Sequence, residues 1–163
     1  MINSLKYIST RGSAPELSFK DVIFEGLASD GGLYVPKHWP CLSNELIDSF
    51  SSMTYQEIAY EVISPYIDST LSDEDLKAII KKSYSCFDNT EITPLTKLDN
   101  KNYLLELYHG PTYAFKDVAM QFISQLMNFY LNENKQSINI LGATSGDTGA
   151  AAIEGFKNVK SAK

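Results

Sequence analysis

The first ninety residues carry apolar side chains at helical spacing behind residues that commonly cap helices. The pattern predicts helices from Ser18 to Asp30, Ser43 to Phe50, Thr54 to Ser64, and Ser72 towards Cys86. Each predicted start has a Ser or Thr whose hydroxyl can accept a first-turn N–H, and Thr54 with Glu57 makes a complete capping box. Between the first two helices, Leu33–Pro36 is expected to be extended.

The pattern changes beyond about residue 90. Leu95–Leu98 and Tyr103–Leu107, separated by the polar turn Asp99–Asn102, predict a β-hairpin. A long helix over Asp117–Leu131, a strand over Ile138–Leu141 and a helix over Thr148–Phe156 are expected next; the long helix has apolar residues at 118, 119, 122, 123, 126 and 129. This order predicts the α/β class: a mostly helical domain over residues 1–90, then the beginning of a parallel-sheet βαβ domain over residues 91–163.

Composition narrows the function classes. Of 163 residues, 44% are apolar and 21% charged, so the chain can bury a core. The net charge of −6, with both signs mixed, argues against nucleic-acid binding, and the basic run Lys77–Lys82 is interpreted as a solvated helix face. No apolar run is long enough for a membrane span, and residues 1–6 have no secretory pattern.

The two cysteines, Cys41 and Cys86, have neither metal-ligand nor redox spacing, and their apolar neighbours suggest small core side chains. No metal site is therefore expected, and a cytoplasmic protein is predicted.

Lys116 is the first candidate for chemistry. It lies in Tyr108–Asp117, which reads YHGPTYAFKD, where a Gly-Pro loop meets a predicted helix. A lysine amine is nucleophilic only when it is partly neutral, which requires an apolar or cationic setting. The aromatic and aliphatic residues around Lys116 can supply that setting, but from these residues alone a surface lysine is the simpler interpretation. His109, seven residues earlier, is interpreted as shaping the loop.

The second candidate is Thr144–Gly149, reading TSGDTG, between a predicted strand and a helix. Hydroxyls and free backbone N–H groups in such a turn can hold a carboxylate or phosphate. An ordinary helix cap is the alternative.

Other motifs fit less well. The glycine spacing matches neither a P-loop nor a nucleophile elbow. Asp147-Thr-Gly149 would match an aspartic protease only if a homodimer supplied a second copy.

Together these segments resemble the threonine synthase family of fold-type II pyridoxal 5′-phosphate enzymes, which includes the tryptophan synthase β subunit. The matching stretches are YISTRG at 7–12, SFKD at 18–21, GLASDGGLYVP at 26–36, the lysine segment at 108–117, and GATSGDTGAAA at 142–152.

The resemblance implies that Lys116 is the catalytic lysine that binds the cofactor covalently and moves protons. It implies that Thr144, Ser145, Gly146 and Thr148 hold the substrate α-carboxylate, and that Asp147 lies beside the cofactor's ring hydroxyl. The implied lyase reaction converts O-phospho-L-homoserine and water into L-threonine and phosphate, in threonine biosynthesis.

The family's glycine-rich phosphate loop and the residue facing the pyridine nitrogen do not occur in these 163 residues. We therefore expect an N-terminal fragment that, alone, binds pyridoxal phosphate weakly or not at all and does not turn over. The alternatives are a truncated paralogue acting as a non-catalytic interaction module, and a carboxylate-binding domain without cofactor. Oligomeric state does not follow from the sequence.

Overall fold

The computed structural model describes residues 5–67 and 69–163. Residues 1–4 lie outside that range, and the predicted absence of a secretory pattern over residues 1–6 falls partly on them. Contacts group the chain into two compact units, Met1–Lys77 and Ala78–Lys163. The domain boundary near residue 90 stays a prediction. In the described ranges, no helix is both long and apolar enough to cross a bilayer.

The first unit combines a small antiparallel sheet with short helices. Strand β1 (Tyr7–Ser9) pairs with β2 (Tyr34–Pro36), and helix α1 (Phe19–Glu25) lies between them in the chain. Then follow α2 (Asn44–Ser49), α3 (Tyr55–Ile63), each with a 3₁₀ turn behind it, and α4 (Asp73–Tyr84), within which the division between the units falls. The buried apolar residues of the first unit are Tyr7, Ala28, Leu71 and Leu76.

The predicted helix starts in this region are confirmed by the capping contacts. The Thr54 hydroxyl accepts from the Glu57 N–H while the Glu57 carboxylate accepts from the Thr54 N–H, which completes the capping box. Hydroxyls of Ser18, Ser43 and Ser72 likewise accept from N–H groups three residues on. These starts depend on contacts three residues apart, so the sequence alone could specify them.

Helix α1 ends before the predicted stop at Asp30. Gly26 follows it with a φ of 68°, which terminates the helix. Asp30 instead organises the next turn: its carboxylate accepts hydrogen bonds from the Ser9 hydroxyl and from three backbone N–H groups. These bonds, the Ser9 one foremost, lower the pKa of Asp30 to about 2. The Arg11 side chain, in the YISTRG stretch, donates to the Asp30 carbonyl at 3.0 Å, which is a structural contact.

The second unit contains the predicted hairpin and the two long helices. Strands β3 (Leu95–Lys97) and β4 (Tyr103–Leu105) pair antiparallel, which confirms the hairpin. Helices α5 (Asp117–Asn134) and α6 (Asp147–Phe156) follow. Every residue of both strands is exposed, including Leu95, Leu104 and Leu105.

The buried face of α5 is not the predicted apolar stripe. Of the six predicted positions only Leu126 is buried, and the others are half-buried or exposed. The residues that are buried are Asp117, Gln121, Ser124, Leu126, Tyr130 and Leu131. The reason is close packing against α6: a Cβ added at Gly155 would lie 3.0 Å from the Met120 carbonyl and 3.1 Å from Ser124 Oγ.

The segment predicted as a strand, Ile138–Leu141, forms an isolated parallel bridge between Ile138 and Ala162. The Ile138 N–H donates to Ser161 at 2.8 Å, and the Lys163 N–H donates back to Ile138 at 3.0 Å. The described residues thus combine helices with small antiparallel sheets, while the parallel sheet of the predicted α/β class stays a prediction.

Both cysteines are free and exposed, so their predicted burial is wrong. Cys41 lies in the connection between β2 and α2, and Cys86 lies just beyond α4, where neither residue faces a packed interior.

His109 joins the end of the hairpin to the segment after α4. Its ring nitrogens lie 2.7 Å from Glu106 Oε2 and 2.8 Å from Asp88 Oδ1, while its carbonyl accepts the Asp88 N–H. The hydrogen bond to Glu106, with that to Asp88, raises the pKa of His109. The Thr96 hydroxyl and then His109 lower the pKa of Glu106 to about 2. His109 therefore fixes the start of the lysine loop, as its sequence position suggested.

Replacing Thr54 by Ala is expected to lower the free energy of unfolding by about 1 kcal/mol, because the Glu57 N–H loses its acceptor. Urea unfolding of the protein measures the change. Thr54→Ser keeps the hydroxyl and serves as the control. A Thr54→Ala protein as stable as wild type would mean that the Thr54 hydroxyl contributes nothing to the cap.

The contact between His109 and its carboxylates predicts a stability that depends on pH. Because the folded pKa lies above the ordinary 6.5, the stabilisation is complete below pH 6.5 and is lost as pH rises through the folded value. His109→Gln should remove this part of the pH profile, whereas His38→Gln, at an exposed histidine, should leave it intact. Denaturant unfolding across pH 5.5–9 tests this, and identical profiles for wild type and His109→Gln would contradict it.

Candidate functional site

Lys116 is the last residue of an irregular connection between β4 and α5. It lies immediately before the first residue of the helix, with backbone angles of −65° and −20°, and is half-buried. Its ammonium nitrogen lies 5.6 Å from the centre of the Phe115 ring. Within these 163 residues Phe115 and Tyr113 are 60% and 75% exposed, and an apolar setting for the amine stays a prediction.

The loop before Lys116 is closed by the residue after it. Asp117 is 0% exposed, and its carboxylate reaches back to Thr112. The Thr112 N–H donates to Oδ2 at 2.7 Å, and the Thr112 hydroxyl donates to Oδ1 at 2.8 Å. Both carboxylate oxygens therefore hold one residue across the lysine.

Two backbone features make this closure possible. Tyr113 adopts a φ of 60°, a left-handed conformation that is unfavourable for an aromatic residue, and its N–H donates to the Gly110 carbonyl at 3.0 Å. A Cβ on Gly110 would lie 2.5 Å from Asp117 Oδ2, so only glycine leaves room for the carboxylate. The Gly-Pro-Thr sequence is thus matched to the buried aspartate.

The second predicted segment, Thr144–Gly149, leads into α6. The Thr144 hydroxyl oxygen accepts from the Gly146 N–H at 3.2 Å and from the Gly149 N–H at 3.0 Å. A Cβ at position 149 would lie only 2.7 Å from Thr144 Oγ1, so glycine at this position leaves room for the Thr144 hydroxyl. Thr144, although exposed, therefore fixes the shape of the turn through these two hydrogen bonds.

The remaining groups of this turn face outward. Ser145, Gly146 and Asp147 are exposed and Thr148 is half-buried. Gly146 occupies the N-cap position with a φ of 146° and makes no side-chain cap. Among the described residues, the N–H groups of Asp147 and Thr148 meet no acceptor. A helix start with such amides can accept an anion, which is the chemistry predicted for this segment.

Helices α5 and α6 pack against each other within the second unit. The lysine segment lies at the start of α5 and the Thr144–Gly149 segment lies at the start of α6. Neither Thr112 nor Gly110 is predicted from the sequence as a site residue, and Asp117 is predicted only as a neighbour of the lysine. One signal was available: Asp117, Gln121 and Ser124 are polar residues at helical spacing, and all three are buried. In the described part of the chain, no three potential ligand residues are grouped so as to hold a metal ion.

Known proteins resemble this chain over nearly its whole length. Residues 6–84 match a family model described as the threonine synthase N terminus. A threonine synthase from Pseudomonas aeruginosa is 46% identical over 94% of this chain and 33% of its own length. The chain therefore spans about a third of the relatives it matches.

Solved structures agree with the sequence comparison. The crystal structure of a pyridoxal-phosphate-bound threonine synthase from Brucella melitensis superposes with a TM-score of 0.94 at 41% identity, covering 98% of this chain and 34% of that one. The yeast threonine synthase gives a TM-score of 0.91 at 42% identity, covering 98% and 34%. The chain therefore belongs to the threonine synthase family and corresponds to the N-terminal portion of its members.

Proposed function

We propose that this chain is the N-terminal portion of a threonine synthase that uses pyridoxal 5′-phosphate to convert O-phospho-L-homoserine and water into L-threonine and phosphate. The observation that carries the proposal is the close similarity to a cofactor-bound threonine synthase, in a chain that presents Lys116 at the start of α5. A cytoplasmic location stays part of the proposal.

The residues present fit the cofactor. Lys116 offers a primary amine on a loop that is fixed by hydrogen bonds to the buried Asp117 carboxylate. When bound, pyridoxal phosphate offers an aldehyde that condenses with an amine, releasing water, and a ring that accepts electrons from a substrate carbon. Once its amine is free, Lys116 can carry protons between substrate carbons.

Thr144, Ser145, Gly146 and Thr148 are proposed to hold the substrate α-carboxylate. The unpartnered N–H groups of Asp147 and Thr148 support this role, because they lie in the first turn of α6, where the helix dipole favours an anion. Thr144 keeps the turn in that shape through its two accepted hydrogen bonds. Asp147, exposed at the helix start, is proposed to lie beside the cofactor ring hydroxyl.

Because the relatives are about three times as long, the complete reaction is proposed for the whole protein. The 163 residues expressed alone are expected to bind pyridoxal phosphate weakly or not at all and to release no phosphate. The interaction-module alternative has no observation in its favour.

Lys116→Ala is expected to lower phosphate release from O-phospho-L-homoserine by about 10²–10⁴-fold, since the proton-transferring amine is lost. A coupled phosphate assay on the intact gene product measures the rate, and borohydride reduction with mass spectrometry locates the pyridoxyl group. Lys101→Ala, at an exposed residue of the hairpin turn, is the control. Full activity in the Lys116→Ala enzyme would refute the assignment.

Thr144→Val is expected to weaken substrate binding about tenfold or more, because the amides that shape the turn lose a shared acceptor. Thr144→Ser should retain binding. Steady-state kinetics of the intact enzyme would show the change in KM. An unaltered KM in the valine variant would argue that this turn does not hold the carboxylate.

A further inference from the structure

Asp117 is a buried charged residue for which the proposed chemistry supplies no role. Its side chain is 0% exposed, although a carboxylate is costly to bury unless its oxygens are well bonded. Among the described residues, no Lys, Arg or His lies within ion-pair distance of it. It lies in the first turn of α5, where the helix dipole favours a negative charge.

The hydrogen bonds of Asp117 are concentrated on one residue. Oδ2 and Oδ1 accept from the N–H and the hydroxyl of Thr112, at 2.7 and 2.8 Å. The Asp117 N–H donates to the Ala114 carbonyl at 3.0 Å. Residues 112–117 therefore form a closed ring of contacts that contains Lys116 and opens only if these bonds break.

The ring holds an unfavourable backbone conformation. A left-handed Tyr113 is of the kind that costs about 1–3 kcal/mol, and the surrounding contacts must compensate for it. Gly110 lacks a side chain where the Asp117 carboxylate packs. The two bonds from Thr112 to the Asp117 carboxylate are therefore among the contacts that offset the cost of the left-handed Tyr113.

We propose that Asp117 is a positioning residue: by clamping Thr112 across Lys116, its buried carboxylate fixes the place from which the lysine amine reaches the reacting groups. This inference rests on the proposed function, in which Lys116 is the reactive amine. Misplacing a reacting group by about 1 Å can lower a rate on the order of 10²-fold. The clamp therefore acts on the chemical step more than on substrate binding.

The test uses the intact gene product with five variants. Thr112→Val removes the hydroxyl donor but keeps the shape, while Thr112→Ser retains it. Asp117→Asn keeps an oxygen for the Thr112 N–H and turns an NH₂ towards the hydroxyl, which can accept. The double variant Asp117→Asn/Thr112→Val leaves that NH₂ facing a methyl group. Thr90→Val makes the same Thr-to-Val change at an exposed site and is the control.

Three measurements are combined: hydrogen exchange of the Thr112 amide without cofactor, the rate of covalent cofactor attachment to Lys116 by borohydride trapping, and kcat and KM. We expect the double variant to exchange faster, attach the cofactor about 10²-fold more slowly and lose kcat similarly, with KM nearly unchanged. Asp117→Asn and Thr112→Val alone should be milder. Thr112→Ser and Thr90→Val should resemble wild type.

The outcomes separate the two proposals. Wild-type protein without a pyridoxyl group on Lys116 would overturn the proposed function and this inference with it. Normal attachment in wild type, with unchanged attachment and kcat in a folded double variant, would overturn the positioning role alone. If the double variant does not fold, the Thr112→Val enzyme is used in its place. A rate of cofactor attachment and a kcat equal to those of wild type would then contradict the positioning role.

Discussion

The grip of the Asp117 carboxylate on Thr112 is the contact on which the candidate site depends. A carboxylate with no exposed surface is tolerated only because both of its oxygens are bonded and a helix dipole lies behind it. The same contact requires glycine at 110 and maintains the left-handed Tyr113. The buried carboxylate thus explains the residues at 110, 112 and 113, and it fixes the backbone on either side of Lys116.

His109 restrains the opposite end of the same loop by a different kind of interaction. Its imidazole bridges Glu106 at the end of the hairpin and Asp88 beyond α4. The side chains of His109 and Glu106 are 15% and 16% exposed, so their contact is only partly screened by solvent, whereas Asp88 is 64% exposed. The loop is therefore fixed at one end by a histidine that bridges two carboxylates, which raise its pKa, and at the other end by the bonds between Asp117 and Thr112.

Local features of this chain could be predicted well from its sequence, because they depend on contacts a few residues apart. The capping box at Thr54 and the hairpin turn at Asp99–Asn102 are examples. The buried face of α5 could not be predicted from the sequence, because it is determined by the close packing of Gly155 on α6, more than thirty residues away. The bridge from Ile138 to Ala162 could not be predicted either, because the three residues at the end of the chain carry too little periodicity to indicate strand pairing. At the site, motif resemblance predicted the lysine and the hydroxyl turn, while the bonds between Asp117 and Thr112 join residues that no sequence pattern connects.

The exposed hairpin has a practical consequence for anyone preparing this segment. In the described residues β3 and β4 form a sheet of two strands, so each strand leaves one edge unpaired, and leucines project into solvent. Open edges with apolar side chains favour intermolecular strand addition, which ends in aggregation. Low protein concentration, or a charged residue in place of Leu104, would favour monodisperse material for spectroscopy.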